Sequence, residues 1–160
     1  MASVVLPDWY GDNFVNVENL FIDLFTKVFP DIESGCWKPD DWFEQEVPNP
    51  MLQFVRIPGG HVDYQRRQDE CFVQVSVITG SRDESWKVYE VIRAVLLPMQ
   101  GFKVKMADGY TAQIHRVEEV GGPQIMTPEQ LADIRMVAAT LKVSVGLKTG
   151  RNYFAEITAL

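Results

Sequence analysis

Two stretches of strict alternation constrain this chain more than any other feature in it. From about Ile134 to Leu147 the odd positions Val137, Ala139, Leu141, Val143, Val145 and Leu147 are apolar, while Thr140, Lys142 and Ser144 are more polar. Cys71, Val73, Val75 and Val77 repeat the pattern, with Phe72, Gln74, Ser76 and Ile78 forming a mixed opposite side. Side chains of a strand point alternately to the two faces of a sheet, so a period of two marks strands with one buried face. Such one-sided burial belongs to antiparallel sheets, and other elements must cover the apolar face.

Two amphipathic helices are available for that. Phe14, Val17, Leu20, Phe21, Leu24, Phe25 and Val28 recur on one helical face, Lys27 near the end complements the helix dipole, and Pro30 stops the run. Ser81-Arg82-Asp83-Glu84 has the spacing of a capping box, and Trp86, Tyr89, Ile92, Val95 and Leu96 follow as an apolar stripe up to Pro98. Met51 to Ile57 reads as a strand closed by Pro58-Gly59-Gly60, and Glu70 to Thr79 as its partner across a long polar tip. Tyr110 to Val117 reads as a third strand, Gly121-Gly122-Pro123 as loop, Thr127-Pro128 as a short helix start, and Tyr153 to Ile157 as a short edge strand. Residues 30–50, broken by Pro30, Pro39, Pro48 and Pro50, read as an irregular acidic segment.

The expectation is therefore one α+β domain over residues 1–160, with element order αββαββ. It is a two-layer sandwich in which two helices cover one face of a four-stranded, mainly antiparallel sheet. No apolar run reaches about 18 residues, so no membrane span is expected, and the first residues do not read as a secretory signal.

Composition and motifs exclude several kinds of chemistry. A formal charge of −7 argues against phosphate-held nucleic-acid binding, and the one tight basic pair, Arg66-Arg67, stands among Asp63, Asp69 and Glu70. Neither His61 nor His115 has a ligand cluster at metal spacing, and no cofactor motif is present. Cys71 falls in a valine stripe, where a thiol is a small hydrophobe, and both cysteines are expected to be free. No catalytic set emerges; the enzymatic alternative is a pocket around His115 and Arg116.

The layout as a whole resembles the tail terminator, or tail completion, proteins of long-tailed bacteriophages. The segment Phe54-Val55-Arg56-Ile57-Pro58-Gly59-Gly60 is similar to a valine-arginine-x-x-glycine-glycine stretch common in those of actinobacterial phages. A polar loop ending at Asp69, the helix at 85–97, a strand carrying Arg116 and a final strand starting near Arg135 complete the likeness over roughly residues 14–147. The resemblance implies a structural virion protein that forms a six-membered ring at the head-proximal end of the tail tube. There it would stop polymerisation, with the tube protein on one side and a head-completion or neck protein on the other. DNA would pass through the lumen without specific binding, and the protein would be in the host cytoplasm during assembly. Another head–tail connector of similar size is the alternative. Candidate subunit or tube contacts are Trp37, Trp42 and Phe43 in the irregular segment, Arg56, His61, Asp63, Arg66 and Arg67 around the hairpin, and Arg116 and Arg135.

Overall fold

The computed structural model describes residues 4–37, 49–125, 136–149 and 151–159. Helix α1 spans Val17–Val28 and starts later than its apolar stripe, because Asn16 is extended and its side chain accepts the amides of Glu18 and Asn19 at 3.0 and 3.1 Å. Strand β1 (Glu33–Gly35) precedes the hairpin of β2 (Met51–Asp63) and β3 (Gln68–Ile78). Helix α2 covers Arg82–Leu96, capped as its sequence anticipates by Ser81 accepting Glu84 N–H at 3.2 Å. Strands β4 (Phe102–Lys105), β5 (Thr111–Ile125) and β6 (Val137–Gly146) follow, and a last helix, α3, occupies Phe154–Thr158.

These strands form one six-stranded sheet in the order β1-β2-β3-β6-β5-β4. Strand β1 runs parallel to β2, and every other pair is antiparallel. The expected four-stranded antiparallel two-layer sandwich is thus incorrect: among the described residues the sheet has six strands, is mixed, and curls into a half-barrel with three helices. Two short strands escape a reading by periodicity. Glu33-Ser34-Gly35 has too few residues to show alternation, and in β4 only Val104 is buried. The tail is also corrected. Tyr153 to Ile157 is no edge strand, because Thr158 Oγ donates back to Phe154 O and closes a helical turn.

The curl has a visible cause. Helix α1 packs on β1 and β2 at one edge of the sheet. It also reaches the far edge, where Lys27 Nζ donates to Lys105 O at 2.9 Å and Asp23 accepts Ala107 N–H at 2.8 Å. Helix α2 lies on β3 and β6. Leu20, Phe21 and Phe25 of α1, Tyr89, Ile92 and Leu96 of α2, and the odd-numbered valines of β3 and β6 share one core. Phe54 stands at its centre, with ring centroids 5.7 Å from Phe21 and 5.2 Å from Phe25.

The polar loop between the hairpin strands is much shorter than its sequence suggests. Strand β2 continues through Pro58-Gly59-Gly60 to Asp63, leaving only Tyr64 to Arg67 as the turn. The glycines form a bulge: register shifts between Ile57 and His61, and Gly59 and Gly60 have φ of 124° and 85°. Strand β5 similarly absorbs the Gly121-Gly122-Pro123 segment, expected to be loop, as irregularities within a strand that reaches Ile125.

Candidate subunit-contact faces

Cross-strand register sorts the polar residues onto two faces. Arg56 lies opposite Val73, and Asp69 opposite Val145, so both occupy the face that carries the core. A carboxylate there needs a partner. Asp69, 1% exposed, receives a fork from Arg56, with Nη1 and Nη2 at 2.8 and 3.0 Å. Hydrogen bonding to Asp69 raises the Arg56 pKa still further above its ordinary value. The backbone of Arg56 is engaged as well, since its N–H donates to Glu18 Oε1 at 2.7 Å. This corner ties the start of α1 to β2 and β3.

A second corner of the same face sits on β5. Glu119 accepts the hydroxyl of buried Tyr89 at 2.8 Å and pairs with Arg93 at 3.0 Å. Burial, with the bond to Glu119 adding to it, raises the phenol pKa strongly, so Tyr89 remains a neutral donor.

The opposite face bears no described helix and carries a row of charges across four strands. His61 lies opposite Glu70, Glu70 opposite Ser144, and Ser144 opposite Arg116, while Lys142 lies opposite Glu118. His61 Nδ1 stands 3.7 Å from Glu70, Glu70 pairs with Lys142 at 2.9 Å, and Arg116 pairs with Glu118. The signs alternate along the row, which suits a face that meets another protein through matched charges. Two strand spacings of about 4.8 Å each separate Glu70 from the Arg116 strand.

Paired carboxylates, Glu70 of this row among them, predict acid lability. Hydrogen bonding to Lys142 holds the Glu70 carboxyl below its ordinary 4.5. The Tyr110 amide, then Lys148, does the same for Asp108, and Arg151 for Glu156. A carboxyl depressed in the folded state contributes stability that is complete above its unfolded value and lost as pH falls through its folded value. The melting temperature is therefore expected to be flat between about pH 7 and pH 5 and to fall below about pH 4. Lys142→Met should flatten part of that fall; an unchanged acid limb in the variant would remove Glu70 from the account.

The structure brings several of the expected contact residues together. Arg56, His61, Asp63, Arg66 and Arg67 all belong to the β2–β3 hairpin, with Arg66 N–H donating to Asp63 at 2.9 Å and Arg67 holding φ of 56° at the turn. Arg116 joins His61 in the outer row, whereas Arg56 faces the core instead. Trp37 is 74% exposed near the β1 edge. Trp42, Phe43 and Arg135 lie outside the described residues, as does the helix start expected at Thr127-Pro128. Glu70, Lys142, Glu118 and Glu119 were not anticipated. Strand parity held the signal: Glu70 and Lys142 fall on the polar register of their strands, and Asp69 falls on the valine register.

No grouping of three or more His, Cys, Asp or Glu side chains among the described residues could hold a metal ion. Burial pushes the Cys71 thiol up to about 11, so it is protonated and unreactive at neutral pH. The comparison that decides identity is with protein families. Residues 13–152 match the family described as phage tail termination protein, a span that includes all six strands and both long helices. The chain belongs to that family. Comparison with curated proteins gave no match. As a tail termination protein it has a structural role in completing the phage tail, is located in the virion tail, and associates with tail and head components. Its chemistry is accordingly that of surfaces, and the charged outer row, the hairpin turn and Trp37 are the surfaces its sequence and register bring forward.

Proposed function

We propose that six copies of this chain form a ring on the head-proximal end of the tail tube, stopping tube polymerisation and presenting the surface to which the head joins. The observation that carries this reading is the family match over residues 13–152. Two further features agree with it. The sheet has unlike outer strands, acidic Glu33 on β1 and basic Lys103 and Lys105 on β4, and cyclic rings are built from two different patches per subunit. A six-membered ring would carry roughly −42, from −7 per chain, and an acidic lumen lets DNA pass without adhering.

Electron microscopy of tails assembled with and without the protein tests the proposal. Tubes of uncontrolled length in its absence are expected, and tails of normal length would refute termination. If tails are normal but heads fail to attach, and the protein captures portal-side adaptors instead of tube protein, it is a neck protein.

A further inference from the structure

The two chain-terminal segments are fastened to each other. Tyr153 Oη accepts Gly11 N–H at 2.8 Å and donates to Gly11 O, and Asn13 Nδ2 donates to Arg151 O at 3.3 Å. The Tyr153 ring packs between Trp9 and Tyr10, with centroids 5.5 and 5.7 Å away. What this clasp presents to solvent is apolar. Val4, Val5 and Leu6 are 82%, 89% and 61% exposed, and Tyr10, Phe154 and Ile157 of the same two segments are exposed as well. Half of the exposed large hydrophobic residues of the described chain thus sit in these two short segments. Helix α3 has no buried residue, yet Phe154 and Ile157, three apart, share one helical face. That stripe stays exposed among the described residues, and an apolar concentration of this kind marks a protein contact.

We infer that this terminal module is the subunit–subunit contact of the proposed ring, each copy inserting Val4–Leu6 and the Phe154–Ile157 face against a second copy. The inference rests on the ring reading. Area supports a second copy as occupant: the six side chains expose on the order of 700 Å², close to the roughly 800 Å² that one partner contributes to a stable interface. Charge indicates the receiving surface. Asp8, which follows the apolar arm, is exposed and has no ion pair among the described residues. Lys103 and Lys105 of β4 are likewise exposed and unpaired, with exposed Phe102 next to them, and Lys27 reaches the same strand. Arm and receiving strand are different patches, so the contact is head-to-tail and can close into a ring.

The test uses the full chain in sedimentation and light scattering across a concentration series. The quintuple variant V4S/V5S/L6S/F154S/I157S changes only exposed side chains and should melt like the wild type. It is expected to need at least about tenfold more protein to assemble, a difference of about 1.4 kcal/mol. The control V91S/L97S, exposed apolar residues at helix α2 and outside every contact surface named above, should assemble like the wild type. K103E/K105E should weaken assembly, and adding D8K should restore it. Assembly of the quintuple variant at wild-type concentrations, or equal loss in the control, overturns this inference and leaves the ring reading standing. A wild type that stays a single subunit, alone and with tube protein, overturns both.

Discussion

Replacing Arg56 with alanine is expected to lower the melting temperature by about 6 to 12 °C, from a loss of about 3 kcal/mol at about 2 to 4 °C per kcal/mol for a chain of this size. The argument turns on which partner is buried. Asp69 is 1% exposed and receives both arms of the guanidinium, whereas the Arg56 side chain is 40% exposed. Removing the arginine strands a carboxylate on the core face, where it must either take up a proton or draw in water. Removing the carboxylate has a milder outcome, because the guanidinium can turn outward and rehydrate. Asp69→Asn should therefore cost distinctly less than Arg56→Ala. Urea and thermal unfolding of both variants measure the difference; equal losses, or a larger loss for Asp69→Asn, would show that the fork is not organised by burial of the acid.

Gly60→Ala is expected to be the other severe change, with a loss of about 3 kcal/mol or failure to fold. Gly60 has φ of +85°, and a Cβ built there would lie 2.0 Å from Glu70 O and 2.9 Å from Cys71 Cα. Those are backbone atoms of the paired strand, so relief requires prising β2 from β3 at the bulge. Gly101 is the internal control. It too has positive φ, at +68°, but an added Cβ would meet nothing within 4 Å. Gly101→Ala should cost only the conformational penalty of about 1 to 2 kcal/mol. If the two alanine variants melt together, close approach at the bulge does not matter and backbone conformation accounts for both.

Much of the fold was legible because burial writes itself into spacing. The period-two valines gave β3 and β6, and the 3.6-residue stripes with their caps gave α1 and α2. Legibility failed where an element is too short to repeat or where glycine hides a strand. Three residues of β1 and the single buried position of β4 carry no period, so the sheet came out two strands short. Pro58-Gly59-Gly60 and Gly121-Gly122-Pro123 are the composition of loops, yet both are irregularities within long strands, held by neighbours distant in sequence. The candidate faces were half legible for a related reason. Which charges are near one another on a sheet depends on register across strands, and register places Arg116 and His61 in one row although 54 positions separate them in the chain. Arg56 shows the converse: its charge suggested an outer contact, while its parity with Leu52 and Phe54 already pointed it inward.

The carboxylate of Glu18 on the Arg56 amide has one more effect. Among the described residues no strand neighbours the outer side of β2 beyond Gln53; Glu18 occupies the donor at Arg56, and Pro58 has none to offer. An open strand edge is indiscriminate, because any backbone can read it. With that edge refused, recognition passes to side chains, which differ from one protein to the next. A tail protein closed in this way keeps its identity among other strand-rich proteins and pairs only where side chains match.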